Sequence, residues 1–340
     1  METLVCVKPG TFKYEERNAP VLEPGHAIIK IKRIGICGTD LHAFEGIQPY
    51  FAYPRILGHE LSGELVAFDN APGFKINERV TFIPYFNCGH CVACSVGKTN
   101  CCVHIKVCGV HIDGGMAQYL MVPSYTLLHG NGLTFDELAL VEPLAISAHG
   151  VNRACIKPGE FTLIIGAGPI GLGTMEYARI KGATVIALDI NETRLQFCKD
   201  KLHVPYTINA RSANVAQQLS KITNGNMPTV VIDATGNLKA INTAFQYMGH
   251  GARYVLIGLQ KGDINFSHPE FHKREGTLMS SRNATLADFE YVIDSIRNKL
   301  IDPLKYITHS VKFSAVKDEF ARWLKPDTGV IKAMVSVDNP

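Results

Sequence analysis

The chain of 340 residues has one tryptophan, little excess charge of either sign, and no apolar run able to cross a bilayer. Lys and Arg total 34 against 31 Asp and Glu, and a net charge of +3 is too small for the electrostatic footprint of a nucleic-acid binder. The longest charge-free stretches fail as membrane spans. Residues 114–135 contain Gln118, Pro123, His129 and Asn131, and residues 161–175 are glycine-rich and shorter than the roughly 20 residues required. The opening Met1-Glu2-Thr3 reaches Lys8-Pro9-Gly10 after four apolar residues, without the basic region and apolar core of a secretory signal. No internal repeat and no low-complexity segment is visible. These absences predict a cytoplasmic protein with a small-molecule partner, no nucleic acid and no membrane. Apolar residues, at 46%, are plentiful enough for about two cores at roughly 150 residues per domain. In a reducing compartment the ten cysteines read as metal ligands or buried thiols rather than disulfides.

Up to about residue 135 the pattern is short, β-type and punctuated by Pro and Gly, with strands expected at Leu4–Val7, Ala27–Ile31, Gly63–Ala67 and Arg79–Ile83. From Phe161 the rhythm becomes strand then helix. Strands at Phe161–Ile165, Val185–Leu188, Thr229–Ile232 and Tyr254–Ile257 predict an α/β domain with a doubly wound parallel sheet. A boundary near residue 145 follows. After Ser281 one helix at about Leu286–Lys299 and short pieces suggest a return to the first module, giving 1–145 with 282–340 as one domain and 146–281 as the other.

Phe161-Thr-Leu-Ile-Ile165 runs into Gly166-Ala-Gly168-Pro169-Ile170-Gly171 and then a helical stretch, the context that makes this glycine pattern a dinucleotide fingerprint rather than a turn that only packs a helix. The glycines serve a tight turn, close approach to a pyrophosphate, and helix-on-strand packing. Asp189, 18 residues after Gly171, closes the next strand where a carboxylate accepts from ribose hydroxyls. This favours NAD, because a 2′-phosphate beside it meets repulsion of up to about 4 kcal/mol per unit charge at 4 Å and an effective dielectric constant of 20. Arg194 nearby weakens that preference, since it can pair with such a phosphate. Thr235, Ile257, Gly258 and Leu259 follow two later strands, where ligands bind an open α/β sheet; they read equally as ordinary turn residues.

Cys88, Cys91, Cys94 and Cys102 form C-x2-C-x2-C-x7-C on a loop of about residues 86–103, a spacing that suits one closed, structural zinc. A ferredoxin-type cluster expects its fourth cysteine after three residues and before a proline. Cys101 leaves the fourth ligand open. A zinc ribbon binding nucleic acid would need a basic stripe, and the loop offers mainly Lys98 and Lys106. Cys37, His59, Glu60 and Glu142 are dispersed; together they offer thiolate, imidazole and carboxylate, enough for a catalytic zinc with a place left for substrate, although spacing alone does not assemble them.

The I-C-G-T-D run at Ile36–Asp40, G-H-E at Gly58–Glu60, the four cysteines and G-A-G-P-I-G at Gly166–Gly171 occur in the order seen in zinc-dependent medium-chain dehydrogenases, which the chain resembles along essentially its whole length. The resemblance implies a GroES-like β catalytic domain closed by the C-terminal segment, a Rossmann domain, two zinc ions per chain, NAD, and a homodimer or homotetramer. It implies Cys37 and His59 as catalytic-zinc ligands, completed by Glu60 or by Glu142, whose Glu-Pro context is that of the polyol dehydrogenase branch. It further implies Thr39 and His42 as a proton relay, Asp40 as the acid orienting the ligating histidine, Glu60 in the catalytic set, and Ser281 among the cofactor contacts. Asp69 and Asn77 stand where the family usually has glycine, and both residue types tolerate a left-handed turn.

The stretches Ile36–His42, Gly46–Pro54, Gly109–Gly115, Pro269–Arg274 and Ser281–Thr285 look like the bacterial hexonate 5-dehydrogenases. That likeness implies oxidation of L-gulonate to D-fructuronate first, L-galactonate to D-tagaturonate close behind, and neutral polyols such as sorbitol or galactitol as the alternative. Arg282 matches a substrate-contacting arginine of polyol dehydrogenases, and Lys273 or Arg274 could add charge for a carboxylate; the same cations suit cofactor phosphates equally.

Overall fold

The computed structural model describes residues 1–48 and 51–337, so Pro49 and Tyr50 of the Gly46–Pro54 stretch lie outside it. The chain divides into two units, Met1–Pro143 with the segment from Thr285 onward, and Leu144–Ala284.

In the first unit β-branched residues build the central strand His26–Gly35, whose Ile29, Ile31 and Ile34 are buried. The main sheet runs Leu127–His129, Arg79–Phe82, Glu60–Phe68, His26–Gly35, Lys332–Ser336 and Ile307–Lys312, with Tyr119–Pro123 also paired to the central strand. Lys332–Ser336 is antiparallel to His26–Gly35, so the returning segment is part of this sheet. The register sets Gly35 opposite Glu60 on one side and Met334 on the other. Helix Leu286–Arg297 opens on a reciprocal cap between Thr285 and Asp288 and buries Phe289, Val292 and Ile293. It ends before Lys299, which is left-handed at φ 56°.

The turns after the Glu60–Phe68 strand correct one expectation. Asn77 is left-handed at φ 64°, but at the other turn the left-handed residue is Asn70, at φ 51°. Asp69 instead uses its carboxylate to accept from the Gly25 N–H at 2.7 Å.

The second unit is a six-stranded, wholly parallel sheet in the order Tyr206–Asn209, Thr184–Asp189, Phe161–Ile165, Val230–Asp233, Arg253–Leu256, Thr277–Ser280. In chain order this is 3-2-1-4-5-6, the arrangement of dinucleotide-binding domains. Leu163, Ile186, Val231 and Tyr254 fill its core, and apolar runs with both faces covered are what a parallel sheet requires. No helix among the described residues is long and apolar enough to cross a membrane.

Candidate active site and metal centres

The cysteine lobe carries two single-turn 3-10 helices, Cys94–Val96 and Thr99–Cys101, and turns Val92, Val96 and Val103 outward. With so little apolar material inside, it needs another source of order. Cys88, Cys91, Cys94 and Cys102 gather their sulfur atoms, with Sγ separations of 3.5 Å for Cys91–Cys94, 3.9 Å for Cys91–Cys102 and 3.5 Å for Cys88–Cys102. A tetrahedral zinc with Zn–S bonds near 2.3 Å spaces its sulfurs about 3.8 Å apart, so the lobe fits the ion. Backbone N–H groups of Cys88 and His104 point at Cys102 Sγ, each at 3.3 Å. Hydrogen bonds from the Cys94 backbone, then that of Val103, bring Cys91 down to about 6. Cys101 is exposed and outside the cluster.

The second cluster lies in the first unit. Cys37 caps helix Gly38–Glu45, where negative charge is favoured, and accepts from Thr39 N at 3.4 Å. Asp40, buried, accepts from the Cys37 and Gly58 N–H groups at 3.0 and 3.2 Å and so ties the helix start to the strand entry carrying His59. His59 is buried with Nδ1 3.8 Å from Asp40 Oδ1, beyond hydrogen-bond range, and that nitrogen has no other partner. Burial opposes its charged form, but Asp40 and then Cys37 raise its pKa well above the usual imidazole range.

Ligand atoms of Cys37, His59 and Glu60 lie within 4.8 Å of one another. Glu60 is fully buried, and both its oxygens accept from Lys332 Nζ, at 2.7 and 2.6 Å; the ammonium also reaches the Ile36 carbonyl at 3.1 Å. Burial works against that ammonium, while Glu60 and then Cys37 hold its pKa above the usual lysine value. A Cβ on Gly35 would overlap the Glu60 carboxylate, so the bare backbone there makes the pair possible. Glu142, in the first turn of helix Val141–Ala154, is buried and accepts from the Tyr85 hydroxyl. Burial and, against the pull of His59, the charge of Glu60 push its carboxyl up to about 7. Buried Asp40, Glu60 and Glu142 thus gather with Cys37 around two basic groups, Lys332 and His59, a set of donors rich in carboxylates that suits a divalent cation. The mixed donor set of thiol, imidazole and carboxylate fits zinc.

Thr39 is half-buried and His42 exposed, three residues apart on one face of helix Gly38–Glu45. Lys332 and Tyr85 escape a reading of the sequence. A lysine heading an apolar strand and a tyrosine in a two-residue strand look like surface and core until the fold brings an acid to each.

In the second unit the glycine turn takes its expected form. Gly166 has φ 99°, Gly168 precedes a helix opening on Pro169 and Ile170, and a Cβ on Gly171 would overlap the Gly166 carbonyl. Asp189 accepts from the Ala167 N–H at 2.6 Å and the Asn191 N–H at 2.8 Å, so it holds the glycine loop as well as offering its remaining lone pairs. Arg194 lies beside Gly168. Buried Asp233 grips the Thr235 and Gly236 N–H groups, at 3.0 and 3.1 Å. A Cβ on Gly258 would overlap Gly236 N, the Ile257 side chain packs on Gly150, and Leu259 is exposed. Ser281 Oγ is buried without a partner in the structure, as a group awaiting a ligand would be. These positions all follow or end strands at the carboxyl edge of the sheet. Arg282 is exposed in this unit. Lys273 and Arg274 are engaged elsewhere: both pair with Glu270, and Arg274 also donates to the Met248 carbonyl at 3.0 Å.

The profile of the alcohol dehydrogenase GroES-like domain matches residues 23–131, and that of zinc-binding dehydrogenases matches residues 169–298. The chain is 41% identical to L-galactonate-5-dehydrogenase of Escherichia coli K12 over 99% of both chains, and 30% identical to sorbitol dehydrogenase of Halalkalibacterium halodurans over 92% of this chain and 93% of that one. The solved structure of the alcohol dehydrogenase RspB from Escherichia coli CFT073, complexed with NADH, matches with a TM-score of 0.91 at 29% identity over 99% of each chain. The chain therefore belongs to the zinc-binding medium-chain dehydrogenases, in their polyol-type branch. It is an oxidoreductase acting on CH–OH groups of a small sugar acid or polyol, with zinc and NAD as cofactors.

Proposed function

We propose that the chain oxidises C5 of a six-carbon aldonate, L-gulonate to D-fructuronate or L-galactonate to D-tagaturonate, as a cytoplasmic homodimer or homotetramer. The end-to-end 41% identity to L-galactonate-5-dehydrogenase carries this reading. In it, Cys37 and His59, completed by Glu60 or by Glu142, would hold the catalytic zinc with one position left for substrate, Asp40 would orient His59, and Cys88, Cys91, Cys94 and Cys102 would hold the structural one. Zinc at the first site supplies a Lewis acid for the substrate hydroxyl, of the kind that lowers the pKa of bound water from about 15.7 to about 7. Thr39 would accept the hydroxyl proton as it gives up its own, and His42, at the solvent end of the same helix face, would deliver a proton to water, with the nicotinamide ribose as the link between the two. Gly166, Gly168, Gly171, Asp189, Thr235 and Ser281 would hold NAD, which would supply the hydride acceptor. Arg282 meets the substrate carboxylate, since a planar guanidinium suits a carboxylate in two-pronged fashion.

A screen of NAD reduction by L-gulonate, L-galactonate, sorbitol and galactitol tests this. Hexonates should outpace the matching hexitols, and Arg282→Ala should raise KM for hexonates selectively, by about tenfold or more. Faster hexitols would overturn it in favour of a neutral polyol dehydrogenase, the reading that the 30% identity to a sorbitol dehydrogenase supports.

A further inference from the structure

Two buried glutamates, Glu60 within the group of Cys37 and His59 and Glu142 near enough to feel the charges of His59 and Glu60, are held by chemically different partners. Glu60 has an ammonium on both oxygens. Glu142 has a neutral hydroxyl, that of Tyr85, on Oε1. Tyr85 is 4% exposed, and its ring is braced edge-on by Phe289, 6.1 Å between centroids, from the segment that returns after the nucleotide unit. A ring fixed in this way fixes the place of its phenol oxygen, and from there the hydroxyl donates to Glu142 Oε1. A carboxylate reached by one such donor keeps its other oxygen for a further partner.

We propose that Tyr85 is a positioning residue for Glu142, turning that carboxylate so that its second oxygen faces the group formed by Cys37, His59 and Glu60. The hydroxyl contributes direction without neutralising the charge. An ammonium in its place would cancel the charge that the divalent ion meets, as Lys332 does for Glu60. Phe289 extends the device, because the angle of the phenol depends on the ring that packs against it. This inference rests on the reading of that cluster as a zinc site.

The test uses the full-length protein loaded with zinc and measures release of each ion into a chelator, alongside kcat and KM. Outer partners of metal ligands are worth about 10–100-fold in metal affinity or activity. Tyr85→Phe, which keeps the ring, should speed release from the catalytic site by about 10–100-fold and leave release from the cysteine lobe unchanged. Glu142→Gln should do the same, and the double variant should be no faster than Glu142→Gln alone, because the two groups act as one unit. Phe289→Leu retains the hydroxyl and serves where Tyr85→Phe does not accumulate; it should give a smaller acceleration, about threefold or more, at the same site only. Release within twofold of the parent in both Tyr85→Phe and Phe289→Leu overturns the proposal, as does a double variant in which the two effects multiply. A parent that binds a single zinc, in the lobe, would instead refute the underlying site.

Discussion

In the cysteine lobe four thiols within residues 88–102 meet through their own turns, whereas the cluster at His59 draws Cys37, Glu60, Tyr85, Glu142 and Lys332 from segments spread over most of the chain. The lobe is homogeneous and has three valines facing outward; the cluster mixes donor types, and its His59, Glu60, Glu142 and Lys332 are buried. Four identical soft donors saturate an ion and serve order. Mixed donors leave a position for chemistry. The two sites therefore respond differently to damage, and substitutions can break that contrast or sharpen it.

The largest effect falls on activity at the buried cluster. His59→Ala should lower kcat/KM by about 10³-fold or more, the scale of losing a Lewis acid, while unfolding free energy changes by less than about 2 kcal/mol in urea titrations. Cys91→Ser is the mirror experiment: one zinc per chain is lost by metal analysis, with folded yield falling before kcat of the surviving fraction does. Zinc supports small metal-held folds by roughly 10–16 kcal/mol, and loss of one thiolate forfeits several. If Cys91→Ser abolished activity with full retention of fold, the contrast between the sites would fail.

Lys332→Met comes next. It leaves Glu60 buried without its ammonium and should cost about 3–5 kcal/mol in denaturant unfolding, whereas a cost under about 1 kcal/mol would show the pair to be dispensable. Asp189→Ala should have the mildest effect. The ratio of NADP to NAD use, compared by kcat/KM, should rise about tenfold, and NAD use should also fall because the Ala167 N–H loses its acceptor. Equal use of both cofactors by the unaltered protein would remove the basis for this prediction.

The contrast also explains what could be read from sequence. The lobe and the glycine turn were legible because their ligands or glycines sit at fixed local spacings. The strand positions at Phe161–Ile165 and Thr184–Asp189 were legible from continuous apolar runs. Thr277–Ser280 was not, because this edge strand has an exposed, mixed sequence with no period. Lys332 and Tyr85 were invisible for a different reason. Their roles depend on burial against acids far away in sequence, and no local pattern distinguishes them from a surface lysine or a core aromatic. Asp69 misled because a residue able to adopt a left-handed turn stands beside Asn70, which does adopt it.

The reach of Lys332 to the Ile36 carbonyl spans 296 residues of chain. At the usual pace of translation, about 5–20 residues per second, the ribosome adds Lys332 about 15–60 s after it has added Ile36. Through that interval the nascent β module carries Cys37, His59 and Glu60 without the counter-charge that allows Glu60 to be buried. Completion of this cluster is thus a late event in synthesis, and a chain released before Lys332 lacks the ammonium that completes it even though Cys37, His59, Glu60 and Glu142 have all been made.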